Sequence, residues 1–259
     1  MTYRAIKVER DGQIVTVTLH RPEVLNALNF EMITELHDLL SGLSSDKETR
    51  VVILEGAGGN FCSGADISLF LEETNAPEWL EGITLFSGLI RRLREIPQPV
   101  ITKLRGVAVG GGANLALSGD FVIASHEARF RENFIHIGAI LDGGGTYFLP
   151  RLVGLVKARE LALLGDEIDG KTAASIGLIY KSVPDDELDQ EVSNLARTLS
   201  QRPFAPMSLI KQGLEESLDR SLSQVLEWES AYQTIMLQTR EHKDRVRSFL
   251  ELRGKLKGK

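Results

Sequence analysis

The spacing of apolar residues changes several times along the chain, and each change marks a new element. Ile6 and Val8 alternate with charged residues, Asp11-Gly12 supplies a tight turn, and Val15, Val17 and Leu19 alternate again. That pattern predicts a hairpin, closed by Arg21-Pro22. Met32, Ile33, Leu36, Leu39, Leu40 and Leu43 then recur at helical spacing. Val51-Val-Ile-Leu54 is an unbroken apolar run, as expected of a parallel strand buried on both faces, and it stops at Gly56-Ala-Gly-Gly59. The pattern repeats with a helical stretch around Trp79–Leu93, a strand-like Val100-Ile-Thr-Lys-Leu104, a helix start near Gly110 and a second short run, Phe121-Val-Ile-Ala124. Short buried strands separated by helices predict an α/β architecture with crossover connections.

After Pro184 the strand signals stop. Leu188–Leu199, then Ile210, Leu214 and Leu218, then Val225, Trp228, Tyr232 and Ile235, then Val246, Phe249 and Leu250 form four helical stripes. The expected division is therefore a core over residues 1–184 and a helical region over 185–259. Four such helices carry more apolar stripe than one core of this size needs, so the tail is expected to fold back or to dock on a neighbouring subunit.

Composition narrows the function. Lys+Arg of 30 against Asp+Glu of 36 gives a net charge of −6, with no basic excess for grasping nucleic acid. The single cysteine, Cys62, excludes an intramolecular disulfide or a multi-cysteine metal site. Charges interrupt the first ten residues where a signal peptide needs an apolar stretch, and no run reaches the ~18 apolar residues of a spanning helix. A soluble, cytoplasmic protein without metal or membrane partner is the expectation.

Three glycine-rich segments follow strand-like runs: Gly58-Gly-Asn-Phe-Cys-Ser-Gly-Ala-Asp66, Gly106-Val-Ala-Val-Gly-Gly-Gly112, and Ile137-Gly-Ala-Ile-Leu-Asp-Gly-Gly-Gly-Thr146. Such turns bring backbone N–H groups close to a ligand, although they also serve as plain strand-to-helix turns. None has the spacing of a P-loop or a dinucleotide fingerprint.

Together with Arg21-Pro22, Leu25-Asn26-Ala27-Leu28, Leu209-Ile-Lys-Gln212 and Phe249-Leu-Glu-Leu-Arg253, these segments stand in register with one family. The chain resembles the crotonase, or enoyl-CoA hydratase/isomerase, superfamily over nearly its whole length. The resemblance implies a spiral of ββα units with a C-terminal helical trimerisation region, hence a homotrimer or a dimer of trimers. It implies an acyl-CoA thioester as ligand, with coenzyme A part of the substrate and no separate cofactor. It also implies an oxyanion hole from the backbone N–H groups of Ala65 and Gly111. The resemblance further places Val24, Ala27, Ser63, Asp66 and Ile67 around coenzyme A. Phe249 is implied to reach the nucleotide, often from a neighbouring subunit. Lys255, Lys257 and Lys259 either meet phosphates or form a solvated terminus.

Departures from the hydratase pattern separate the activities. Where family hydratases carry two catalytic glutamates, this chain has Asn114 and Phe134. Neither side chain exchanges protons near neutral pH, which argues against ordinary two-glutamate hydration. Asp142 stands where a subset of isomerases has a catalytic aspartate. The subset resembled is that of the ring-1,2-epoxyphenylacetyl-CoA isomerases, though Leu141 replaces their usual proline. Asp142 is equally well placed to N-cap the next helix, which would keep its proton affinity low. The flanking Ile140-Leu141 pulls the other way, since desolvation raises a carboxyl pKa.

Asn114 is read either as a hydrogen-bond partner for substrate or water or as a polar residue satisfied in the core. Phe134 and Tyr147 are read as lining of an acyl pocket or as ordinary core. Glu132 and His136 flank Phe134, and alternation is expected to turn them away from it. The reading that results is an acyl-CoA isomerase working through an enolate, with Asp142 as acid/base. Atypical hydration and a non-catalytic acyl-CoA-binding role are its rivals.

Overall fold

The hairpin forms as expected, with β1 (Ile6–Asp11) antiparallel to β2 (Ile14–Leu19). The computed structural model describes residues 3–71 and 75–257, in two compact units, Met1–Ser200 and Gln201–Lys259. In the first unit the apolar runs become the parallel strands β3 (Val51–Gly56) and β4 (Val100–Leu104). A third strand, β5 (Val107–Val109), follows at once, and β6 (Phe121–Ser125) is the next apolar run. Later come β7 (Arg129–Arg131), β8 (Glu167–Asp169) and β9 (Lys181–Val183). They build a six-stranded sheet of order β1-β2-β3-β4-β6-β9 and a small second sheet, β5-β7-β8. The strands of the second sheet are three residues each, too short for a period to show, which is why periodicity does not reveal them.

The helices of the first unit are α1 (Phe30–Ser45), α2 (Ala76–Glu95), α3 (Gly111–Leu117), α4 (Gly145–Leu164), α5 (Gly170–Ser175) and α6 (Leu188–Ser200). Asn29 starts α1 by accepting the Met32 N–H at 2.9 Å, which satisfies one of the helix's free donors. Alternation along the strands sorts residues onto two faces. Val52, Leu54, Val100 and Val122 join the larger core with Met32, Leu36, Leu89, Leu93 and Leu115. Val51, Ile53, Ile101 and Ile123 meet Leu188, Val192 and Ala196 of α6 on the other face. Lys103 on β4 also reaches Asp189 of α6 at 2.8 Å.

This packing moves the boundary. The division expected at residue 184 lies instead between Ser200 and Gln201, because α6 covers one face of the main sheet and belongs to the first unit.

The second unit consists of α7 (Phe204–Ser217), α8 (Leu222–Gln238) and α9 (Arg240–Lys257). Ser221 and Gln224 form a reciprocal capping box at the start of α8. Neither α7 nor α8 contains a buried residue, and Ile210, Leu214, Leu222 and Phe249 are more than half exposed. Among the described residues no helix is long and apolar enough to cross a membrane.

Candidate active site

Two of the glycine-rich segments run side by side in the first unit. Cys62 pairs with Ala108: its N–H donates to the Val107 carbonyl at 2.9 Å, and its carbonyl accepts the Val109 N–H at 3.0 Å. Leu28 bridges to Ala65, using the Leu28 N–H to the Gly64 carbonyl and the Asp66 N–H to the Leu28 carbonyl. That pairing leaves the N–H of Ala65 outside the bridge. Gly111 opens α3, so its own N–H has no acceptor within the helix. The segments approach so closely that a methyl group on Gly64 would stand 2.7 Å from the Val109 carbonyl oxygen and 3.8 Å from the Gly111 nitrogen. Gly64 also holds φ +95, which side chains rarely adopt. The structure thus brings the two expected oxyanion residues, Ala65 and Gly111, to neighbouring loops.

Cys62 sits inside this junction and is fully buried. A methyl group on Gly112 would lie 2.5 Å from the Cys62 carbonyl oxygen and 2.7 Å from its sulfur. Burial pushes the thiol up to about 12.

The third segment closes on α3. Methyl groups on Gly143 and Gly145 would meet Asn114 at 3.2 and 2.8 Å respectively, so the chain around Asp142 lies against that residue. Asn114 is wholly buried; its Nδ2 donates to the Asp142 carbonyl at 2.9 Å and to Glu132 Oε2 at 3.4 Å. Its Oδ1 is left unpartnered among the described residues, so the amide is only partly satisfied within the core.

Asp142 does not cap α4. The residue before that helix is Gly144, with φ 88 and no side-chain cap, and Asp142 contributes only its backbone carbonyl to the Gly145 N–H at 3.0 Å. Its side chain is half-buried, and Oδ1 is sealed without a hydrogen-bond partner among the described residues. Desolvation raises the carboxyl to about 6. Ile140, expected to help desolvate it, is 86% exposed, whereas Leu141 packs on the main core.

Glu132 corrects a further expectation. Glu132 was expected to turn away from Phe134, but a period of two continued from β7 (Arg129–Arg131) puts it on the side of the buried Phe130 and Phe134. It is instead 1% exposed and faces Asn114. Burial, with the charge of Asp142 beside it, raises its carboxyl to about 8. Charge alone gives no sign of this in the sequence. His136 remains exposed, its ring nitrogen 3.1 Å from the Gly165 carbonyl.

Phe134 is buried, with its ring edge 3.7 Å from where a methyl on Gly110 would stand. Tyr147 is half-buried at the start of α4, with the Arg151 guanidinium 3.7 Å over its ring.

The residues implied for coenzyme A also gather. Ser63 donates through Oγ to the Val24 carbonyl at 3.1 Å, and Arg21 ties the Ala27 carbonyl at 2.7 Å to the Asp66 carboxylate at 3.0 Å. Hydrogen bonds from Ser68 first, then Arg21, hold Asp66 below the usual carboxylate range. Val24 and Ile67 remain on the surface, Ile67 being 74% exposed. Phe249 lies exposed on α9, in the second unit. The side chains of Lys255, Lys257 and Lys259 lie outside the described residues.

Comparison with known proteins agrees with this geometry. The 1,2-epoxyphenylacetyl-CoA isomerase of Escherichia coli (strain K12) is 37% identical over 244 residues, covering 93% of each chain. The short-chain-enoyl-CoA hydratase of Clostridium acetobutylicum is 33% identical over 254 residues, 98% of this chain and 97% of the relative. The crystal structure of an enoyl-CoA hydratase from Bacillus anthracis superposes with a TM-score of 0.92 at 28% identity, covering 96% of both chains. The family profile described as Enoyl-CoA hydratase/isomerase matches residues 9–258, and the chain belongs to that family, with its crotonase fold.

Proposed function

We propose that this protein is an acyl-CoA isomerase that shifts a double bond, or isomerises a ring, through a thioester enolate. Two backbone N–H groups, those of Ala65 and Gly111, receive the thioester oxygen. Charge on that oxygen grows as the enolate forms, so fixed donors stabilise the transition state more than the ground state. Losing one such donor typically costs about 3–4 kcal/mol. Asp142 removes a proton from one carbon, the enolate delocalises the electron pair, and the same carboxyl returns the proton to another carbon. One base with two reachable positions completes a 1,3-shift with no net proton change.

The observation that carries this reading is the state of the Asp142 side chain. It caps no helix, and desolvation brings its proton affinity to about 6, close to where a general base works best. Hydration is the second reading, because Glu132 supplies another carboxyl beside Asp142. The burial of Glu132 weighs against it, since a group that is 1% exposed is poorly placed to activate a water on the substrate.

We also read the protein as a trimer or a dimer of trimers in the cytoplasm, acting on free acyl-CoA thioesters without a metal or further cofactor. Incubation with a panel of 2-enoyl-, 3-enoyl- and ring-bearing acyl-CoA thioesters in ¹⁸O-water tests the activity. Isomers of unchanged mass are expected. Incorporation of ¹⁸O identifies a hydratase, and no change in any thioester identifies a binding protein.

A further inference from the structure

The Asp142 base does not stand alone, and the hydrogens around it do not balance for two ionised carboxylates. Asn114 supplies one amide group, whose N–H bonds go to the Asp142 backbone carbonyl and to Glu132 Oε2. Three acceptors remain sealed and without a donor among the described residues: Asn114 Oδ1, Glu132 Oε1 and Asp142 Oδ1. Leaving a buried acceptor unpaired costs on the order of 1–3 kcal/mol, and more when it is charged. One proton on a carboxyl converts an acceptor into a donor and relieves both the deficit and the repulsion between like charges.

Among the described residues, the surrounding elements offer no cation in compensation. Helix α3, which carries Asn114, has no ionisable residue. On β7 and the following turn, Arg131 and His136 both direct their ring or guanidinium nitrogens at the Gly165 carbonyl. On α4, Arg151 stacks on Tyr147, and α2 presents the Phe86 ring to Gly143. The charge acting on Glu132 is that of Asp142.

We propose that Glu132 and Asp142 hold a single proton between them as a coupled acid pair, Glu132 being a positioning residue that keeps a second negative charge out of the site while Asp142 works. Glu132, the deeper of the two, stores the proton; Asp142, the more accessible, is left ionised as the base. This rests on the isomerase reading, and it adds the reason why a chain with two buried carboxyls still runs one-base chemistry. When Glu132 ionises, a second anion faces the forming enolate and turnover falls. The pair titrates in two steps that belong to both residues together.

Infrared titration of the substrate-free protein tests the pair independently of any activity. A carboxylic-acid carbonyl band is expected at pH 7, fading around pH 8. Glu132→Gln should remove it, and Asp142→Asn should move its midpoint down by on the order of one pH unit, because the repelling charge is gone. In the turnover assay the wild type should lose rate above about pH 8 and Glu132→Gln should lose that alkaline limb, whatever the height of its plateau. Absence of the band in the wild type, its persistence in Glu132→Gln, or an unmoved midpoint in Asp142→Asn overturns the proposal. If Glu132→Gln does not fold, the wild-type band and the Asp142→Asn midpoint decide. A protein that shows the titrating pair but isomerises no thioester refutes the isomerase reading and leaves the pair intact.

Discussion

Substitution at Asp142 separates chemistry from stability, because the residue holds its neighbours through its backbone. Asn at this position keeps the carbonyl that receives the Gly145 N–H and Asn114 Nδ2, and loses only the proton acceptor. Turnover should fall on the order of 10²–10⁴-fold, the range for a positioned acid/base. The melting temperature should not fall, and above about pH 6, where the desolvated Asp142 ionises at a cost in stability, it should exceed that of the wild type. Deuterium exchange at the substrate's α and γ carbons should stop. Thioester assays, calorimetry and exchange read by NMR check the three outcomes. Glu132 has a stability signature of the same sign at higher pH. Its proton affinity rises from an ordinary 4.5 to about 8, so the folded state holds a proton that the unfolded chain releases between those values. The associated stability is complete below about pH 4.5 and is lost as pH climbs through about 8. Glu132→Gln should therefore match the wild type in denaturant midpoint near pH 4 and exceed it at pH 9. Asp142 was legible in the sequence because its motif placed it, whereas Glu132 was not. The period of two puts residues 130, 132 and 134 on one side, and Phe130, Glu132 and Phe134 are all buried, so the expectation that turned Glu132 away from Phe134 misapplied that period.

At the scale of elements, the site is a junction of backbones, so its sensitive positions are glycines with no room. Gly112→Ala drives a methyl into the Cys62 carbonyl and sulfur, and should lower the melting temperature and the activity together. Gly111→Pro is the sharper probe. Proline is favoured at the first position of a helix, where it removes a donor that the helix does not use. The variant should fold and lose about 10²–10³-fold in turnover. Gly42 gives the control: it lies on the exposed side of α1 with nothing within 4 Å of an added methyl. Gly42→Ala should raise stability by about 0.5–1 kcal/mol without touching turnover, as denaturant titration and assay will show. The same elements explain which parts of the fold were readable. Strands β3 and β6 each open with four consecutive apolar residues, and β4, though interrupted by Thr102-Lys103, still begins with the buried pair Val100-Ile101. Strands β5, β7 and β8 have three residues each, too few for any period to emerge.

Across the whole molecule, the apolar stripes after Pro184 have two fates. The first, on α6, is consumed by the main sheet, which is why the boundary falls at Ser200. Sequence periodicity shows that a face is apolar without showing what covers it. The stripes of α7 and α8 bury no residue within their own chain. A second copy of the chain is the cover expected from the family resemblance. Light scattering at micromolar concentration should give three or six times 28.6 kDa, and a lone 28.6 kDa species would refute the assembly. The buried cysteine turns the folded chain into its own clock. Cys62 has a thiol displaced to about 12 and no solvent access, so an alkylating reagent reaches it only when the pairing of Cys62 with Ala108 lets go. Mass-spectrometric counting of modified chains against time then measures how often the native molecule opens at this junction, and a tightly held acyl-CoA should stretch the interval.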